Sequence, residues 1–560
     1  MRANQEIERR LARLREAFAK DGFNIRRIYV TEGKRIGIAA QHRTAKNYDT
    51  GQKKACYYLE GTPYERGYLL GLLAEPEVQD MAVKFTDNVI FDFIGLEFLN
   101  RYPKLQKLVV SLLYELSENT WLSMPQHVHE EANGVFDGCK KSNPRTGVTK
   151  QRLAVMNVGF DALCAMAYTG SFLGEKVPDL PAEAVRLTMM CNAFSAFGPA
   201  APGEHFFARD FMFATGGVFQ NHLAHILHLP IGADQEALYP HVSVTAPGII
   251  GSISVMNTRG IAAGINMSPA ANCDPSAVGM NSLLLLRECI MRGGSAAEAS
   301  RIIINTKRGV AWNYALSDGT NDTACTVEAG ASWPNVDFLS YPQKAMLPLL
   351  PDETFLKRNM FAPLINGGSV RWYGAEFPET YFPFNPPLWQ FYRLEYETLV
   401  RLHPDAFAPE GFINRTPKEK NCPSNFYFAP ERPILGAFIT GNHFLLPHMR
   451  LCAMDPWTAL ITRGNVNDIQ WRYDELNHQL RQEIKQKGFI GREAAKRIAE
   501  FLAPYGNFPE YYKDNPKSRD RKQTRIEGCV SLFDLKRCIV ESHYGYYSDD
   551  WVKTTLPAYF

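Results

Sequence analysis

The sequence predicts an α+β fold built in layers, with stacked antiparallel sheets covered by helices. Apolar hairpin pairs recur between Cys191 and Ala329, and two capped helical patterns interrupt them. The texture also changes along the chain, from helix-like periodicity before Cys191 to strand-like runs after it.

Met1 to Lys20 carries Ile7, Leu11, Leu14 and Phe18 at helical spacing among Arg and Glu, which predicts an amphipathic surface helix. It lacks the apolar core of a signal peptide. Up to about residue 190 the pattern reads as mostly helical, with Glu65 to Glu75 and Leu105 to Leu116 repeating apolar residues every three or four positions. Cys191 to Phe197 reads as a strand, Gly198 to Gly203 as a turn and His205 to Phe213 as the returning strand. A second hairpin is expected from Ile249–Met256 and Ile261–Met267 about Asn257-Thr258-Arg259-Gly260. Helices follow over Asn281–Met291 and Ser295–Ile304, the latter with Ser295 as N-cap and Glu298 three residues on. Ala311–Ser317 and Thr323–Ala329 make a third hairpin around Asp318-Gly319-Thr320-Asn321. Residues 331 to about 435, rich in Pro and aromatics as in Tyr381 to Pro387, read as an irregular insertion. Helices return over Tyr473–Lys487, stopped at Gly488, and Arg492–Leu502, stopped before Pro504.

Of the 560 residues 45% are apolar and 12% aromatic, enough to fill a sizeable core and to exclude disorder. With 61 basic and 59 acidic side chains, no global field draws the chain to nucleic acid or an anionic membrane. The basic run Lys513 to Arg525 is broken by Asp514 and Asp520 and reads as a solvated loop. No apolar stretch reaches the roughly 18 residues of a membrane span. Eleven cysteines with no CxxC pair indicate neither a disulfide framework nor a zinc ribbon. The default compartment is the reducing cytoplasm, with a secreted or periplasmic location the alternative where a signal has been removed.

There is no GxSxG elbow, no P-loop and no GxGxxG between a strand and a helix. His127-Val128-His129-Glu130-Glu131 lacks the HExxH spacing, so no metal is expected there. His222, His225 and His228 read as surface or packed histidines. Most cysteines sit in apolar runs, as Cys289 does, and read as core. Cys191 differs, because it opens the strand-rich zone and has Arg209 and Asp210 on the returning strand within reach. A guanidinium there would favour the thiolate, the form that attacks acyl carbons. On spacing alone, a packed strand cysteine remains the competing reading.

Several short elements, in order over most of the chain, carry a resemblance. They are Gly61-Thr62-Pro63-Tyr64-Glu65-Arg66-Gly67 with Gly71, then Glu130-Glu131-Ala132-Asn133-Gly134 with Asp137-Gly138. Cys191-Asn192-Ala193-Phe194-Ser195, Ala208-Arg209-Asp210-Phe211, Asn257-Thr258-Arg259-Gly260 and Gly264-Ile265-Asn266 follow. Leu316-Ser317-Asp318, Val327-Glu328 and Thr440-Gly441-Asn442-His443-Phe444 complete the set. In these the chain resembles the acyl-CoA:6-aminopenicillanate acyltransferase family of N-terminal-nucleophile hydrolases, relatives of the choloylglycine hydrolases and phospholipase B-like proteins.

The resemblance implies a four-layer αββα sandwich made from an inactive precursor that cuts itself between Met190 and Cys191. Residues 1–190 would then be a pro-region or small chain that stays associated, and 191–560 the catalytic domain with its insertion at about 331–435. Cys191 would be the nucleophile and its α-amine the general base, giving an amide hydrolase or acyltransferase that works through a thioester without a cofactor. Arg209 matches the basic residue beside the nucleophile, Asn266 and Asn442 the two amides implied for the oxyanion hole and for positioning, and Arg472 a later substrate-side arginine. Choloylglycine hydrolases read R-N-x-D on the return strand. Here Met212 stands where that acid belongs, so Asp210, read as lying on the opposite strand face, is expected to take its role. An ester-cleaving, phospholipase B-like activity and a non-catalytic member of the fold are the alternatives. The partner implied is a small acyl amide or ester.

Overall fold

The computed structural model describes residues 2–47, 50–88, 103–173, 191–212, 217–232, 235, 237–268, 273, 278–332, 366–374, 401, 433–446, 449, 467–502, 525–546 and 550–560. Within them the chain forms an α+β structure with two large sheets, one of ten strands and one of six. Met190, residues 333–365, 375–400 and 402–432 of the expected insertion, and all of the basic run but Arg525 lie outside the described residues.

Helix α1 (Arg2–Lys20) forms as its periodicity predicts and buries Leu11, Leu14 and Phe18. The next forty residues depart from the helical expectation. Strands β1 (Phe23–Val30), β2 (Ile36–Lys46) and β3 (Lys53–Gly61) form an antiparallel meander. The charges that hid them follow from position. In β1, an edge strand, Arg26 and Arg27 are exposed while Phe23 faces the core.

Helix α2 (Pro63–Leu73) starts from a capping box in which Thr62 and Glu65 bond each other's backbone N–H. Helices α3 (Pro103–Leu122), α4 (Gln126–Ser142) and α5 (Lys150–Leu173) follow. A Cβ on Gly67 or Gly71 of α2 would strike the α4 backbone, and one on Gly134 or Gly138 of α4 would strike the α2 backbone. The glycines of the first two shared elements are therefore contact points where two helices touch backbone to backbone. Glu131 from the same element accepts both guanidinium nitrogens of Arg287, with Arg66 3.6 Å away.

Beyond Cys191 run β4 (Asn192–Phe197), β5 (His205–Met212), β6 (Ala224–Pro230), β7 (His241–Thr245), β8 (Ser254–Asn257) and β9 (Ile261–Met267). Strand β8 is shorter than expected because side chains claim the backbone before it. Ile250 N–H donates to Asn157 Oδ1, and Ile253 O accepts from Arg209. Helix α6 (Ser282–Arg292) is capped by Asn281 and α7 (Ala296–Asn305) by Ser295, whose hydroxyl accepts from Glu298 N–H. Glu298 turns to Gly294 N–H, so only half of the capping box forms.

Strands β10 (Trp312–Asp318) and β11 (Thr323–Ala329) pair in register as the third hairpin. Strand β12 (Gly368–Trp372) pairs with β11, so the region expected to be irregular supplies a sheet edge. Strand β13 (Ala437–Thr440), helices α8 (Asn467–Lys487) and α9 (Arg492–Leu502), and strands β14 (Arg525–Asp534), β15 (Ile539–Tyr546) and β16 (Val552–Thr555) complete the described chain.

The large sheet runs β1-β2-β3-β6-β7-β8-β9-β10-β11-β12 and the smaller β13-β4-β5-β14-β15-β16. All pairings are antiparallel except β3 with β6. Strands β4 and β5 touch β9, and β13 touches β11, so the sheets meet face to face. Helices α6 and α7 lie against the large sheet, while α8 and α9 lie against the small one. No described helix is long and apolar enough to cross a membrane.

Candidate functional site

The β4–β5 hairpin places chemistry on both faces. Asn192 pairs with Asp210 and Ala193 with Arg209. With a period of two, Phe207 and Phe211 join the cluster between the sheets, and Phe206, Ala208 and Met212 the cluster under α8 and α9. Cys191, which shares the inter-sheet cluster, and Arg209 belong to the first face; Asn192, Asp210 and Met212 to the second. Asp210 and Met212 therefore share a face, contrary to the sequence reading.

On the inner face Arg209 is fully buried. Its guanidinium donates to Ile253 O and Ile265 O, each at 2.5 Å, and to Asn266 Oδ1 at 3.3 Å. It lies across Gly264, where any Cβ would overlap it, so Gly264 is the price of seating a cation between the sheets. Cys191 Sγ faces Met212 O at 3.8 Å. Burial raises the Cys191 pKa above its ordinary value although Arg209 pulls the other way. The expected thiolate is thus outweighed by desolvation, and this sulfur needs a base.

The backbone nitrogen of Cys191 donates to Asn442 Oδ1 at 2.8 Å. Asn442 Nδ2 donates to Met267 O at 2.7 Å, which joins the loop after β13 to the end of β9. Asn266 Nδ2 donates to Thr440 O and Gly441 O, and Asn313, its partner across β10, donates to Gly441 O and His443 O. Both protons of the Asn266 amide thus hold the loop that carries Asn442. Glu328 holds the same loop from the other side by accepting from Leu445 N–H and Leu446 N–H, with Arg371 3.5 Å away.

On the outer face Asp210 accepts from Asn192 N–H at 2.5 Å and Asn192 Nδ2 at 3.1 Å. Burial pushes its carboxyl up to about 6, while Arg472, Asn192 and Arg209 pull it down. Arg472, from α8, is fully buried and donates to Cys191 O, Asn192 Oδ1 and Asn442 Oδ1 at 2.9–3.3 Å. Asp210 therefore reaches Arg472 through the Asn192 amide and accepts from Asn192, while the Cys191 nitrogen donates to Asn442 instead.

Cys191, Arg209, Asp210, Asn266, Asn442 and Arg472 are thus brought together, while Met190 is outside the described residues. The sequence reading missed Asn192, Asn313, Glu328 and Arg371. Asn192 and Glu328 are polar residues within apolar strands, a signal for buried hydrogen bonding. Arg371 gave none. The histidines are committed elsewhere: His127 to Glu288, His222 to Asp80, His225 to Ser542 and Thr554, and His228 stacked on His241.

No family model matches this chain. An "Uncharacterized protein" of Archaeoglobus fulgidus is 24% identical over 510 residues, 91% of this chain and 66% of that relative, so the chain spans just under two thirds of the relative's length. Among solved structures, penicillin V acylase from Agrobacterium tumefaciens is 11% identical, with 63% of this chain and 83% of that one covered, at a TM-score of 0.28. A likeness that distant bears neither on the activity nor on the site.

Proposed function

We propose that the protein is an N-terminal-cysteine amide hydrolase or acyltransferase of αββα design, released by self-cleavage between Met190 and Cys191. The observation that carries this reading is the hydrogen bond from the Cys191 nitrogen to Asn442 Oδ1, beside a buried cation on the same face as the thiol. A packed strand cysteine needs neither. Helices on the outer side of each sheet support the four-layer architecture.

In the precursor, Cys191 Sγ attacks the Met190 carbonyl, the C–N bond breaks and water hydrolyses the resulting thioester. The freed α-amine, with a pKa near 8, can take the thiol proton. The sulfur then attacks a substrate acyl carbon, and the protonated amine returns that proton to the leaving nitrogen. Water or an acceptor amine, deprotonated by the same base, resolves the thioester. Asn442 Oδ1 holds the amine beside Sγ. Its Nδ2 has one proton beyond that given to Met267, so Asn442, more than Asn266, suits the developing oxyanion.

Intact mass spectrometry with N-terminal sequencing tests the reading. Fragments 1–190 and 191–560 are expected, and Cys191→Ala should leave a single full-length species. An active protein uncut at this bond would refute the free-amine mechanism. The two fragments should also co-elute on a sizing column, because β3 of the first pairs along its length with β6 of the second. Clean separation at moderate salt would show that this pairing does not hold the segment.

A further inference from the structure

Between α3 and α5 on one side and β5 with the approach to β8 on the other lies an apolar cavity of about 40 Å³. Leu113, Val155, Phe160 and Leu163 wall it from the N-terminal segment, and Phe211 and Ile253 wall it from the strand-rich part. The last two tie it to the candidate site. Phe211 is the β5 residue next beyond the Asn192–Asp210 pair, opposite Cys191, and its ring lies 5.2 Å from the Arg209 guanidinium. Ile253 is the residue whose carbonyl Arg209 holds. Among the described residues that line the cavity, Thr86 alone carries a polar side chain.

We infer that this cavity receives the acyl chain of the substrate, that the chain is short and apolar, and that the N-terminal segment sets its length. The inference rests on the hydrolase reading above and deepens it. A carbonyl attacked by Cys191 Sγ has its acyl substituent on the inter-sheet face, where Phe211 and Ile253 stand. A volume of about 40 Å³ is roughly a quarter of the about 150 Å³ of an apolar cavity that takes up benzene, so only a short chain of a few carbons fits without repacking. An apolar cavity of this kind stays dry and accepts apolar guests, whereas a charged or hydroxylated acyl group would lose its hydrogen bonds there.

The test uses the full chain and two one-carbon changes in the wall. Val155→Leu shrinks the cavity and Leu163→Val enlarges it; neither residue touches the reacting atoms. Acylation of Cys191 by p-nitrophenyl esters from acetate to decanoate is followed by intact mass. The expected optimum is butanoate or pentanoate, moving one carbon shorter in Val155→Leu and one longer in Leu163→Val. Discrimination between neighbouring lengths should be roughly tenfold, the scale of one methylene in an apolar pocket. An unchanged length profile in both folded variants overturns the inference. A second measurement does not depend on turnover. In Cys191→Ala protein, 1-butanol should raise the Tm, and Val155→Leu should abolish that shift. Failure of every ester to acylate Cys191 alongside a Val155-dependent butanol shift would sink the hydrolase reading and leave the cavity an alkyl site. Acylation without length dependence, and with no such shift, would sink the acyl-site inference alone.

Discussion

The two faces of the β4–β5 hairpin are both buried, yet they solve different problems. The inner face must hold a cation and a thiol between two sheets, and it does so with backbone carbonyls: Ile253 O and Ile265 O take the Arg209 guanidinium. The outer face holds an acid and a cation under α8, with the Asn192 amide placed between Asp210 and Arg472. A guanidinium bound by neutral carbonyls keeps its charge free to act on a neighbour. One linked to a carboxylate through an amide spends more of its charge on position. On the proposed reading, the inner face would carry the chemistry and the outer face the alignment.

The largest effect expected from breaking this division is at Gly264. Gly264→Ala adds one methyl group, far from any solvent, in the space the Arg209 guanidinium fills. Arg209 must then leave Ile253 O or Ile265 O. Loss of one preorganised electrostatic partner typically costs about 10²–10³ in rate. Turnover and self-cleavage should fall by roughly that factor. Activity within about threefold of wild type in a folded variant would show that Arg209 only fills space.

A smaller effect is expected on the outer face. Asp210→Asn removes the charge and leaves an oxygen to accept Asn192 N–H, but it turns one donor toward Asn192 Nδ2. Turnover at neutral pH should fall about tenfold, the cost of roughly one net hydrogen bond in the alignment of Asn192, Arg472 and Asn442. The pH profile is the sharper readout. Since burial lifts the Asp210 carboxyl to about 6, wild type should show, below the loss due to the α-amine near 8, a further loss of activity through about pH 6, and the variant should lack this second limb. The stability sign is opposite. A carboxyl raised in the fold binds its proton more tightly than in the unfolded chain, so it costs stability as pH rises from about 4 through 6. The variant should lose Asp210's part of that slope while keeping the part due to Asp161, which burial also lifts to about 6. Persistence of the loss near pH 6 in Asp210→Asn would remove Asp210 from the alignment network.

Much of this was legible from residues alone, for stated reasons. The β4–β5 and β10–β11 hairpins declared themselves because short apolar runs flank Gly- and Asp-rich turns. Helix α7 declared itself through its cap Ser295, whereas the cap of α6, Asn281, was read as the first helical residue. The meander β1–β3 did not, since a half-exposed edge strand carrying Arg26 and Arg27 imitates the charge density of a surface helix. The glycines of the shared elements before Cys191 were visible as a motif, but their purpose, an approach of α2 to α4 backbone to backbone, exists only once both helices are in place. Arg371 was hidden for the same reason: its partner Glu328 lies on a neighbouring strand 43 residues earlier, a separation no local pattern spans. The amides show the limit most clearly. Asn266 and Asn442 were found together, yet which of them keeps a free N–H depends on Thr440 O and Gly441 O, carbonyls whose direction no side-chain pattern records.

The smallest expected effect is an absence of rescue, and it tests the register itself. Met212 occupies the position where the resembling hydrolases carry an acid, and it lies on the same face as Asp210. A shared face invites the idea that a carboxylate at 212 could replace one at 210. The surroundings argue against it. Met212 packs in the cluster of Phe194, Ala208, Leu445 and Val530 and is 2% exposed. A carboxylate there would sit among hydrocarbon, where it costs several kcal/mol unless it finds a partner. The Asn192 donors are opposite Asp210 in the register, two residues away from 212. Met212→Asp added to Asp210→Asn should therefore restore no turnover and should lower the Tm by several degrees, about 2–4 °C for each kcal/mol in a chain of some 150–250 residues and less in a larger one. Recovered turnover with an unchanged Tm would mean that position 212 reaches the Cys191 nitrogen, and that β5 is out of register with β4 in the active protein.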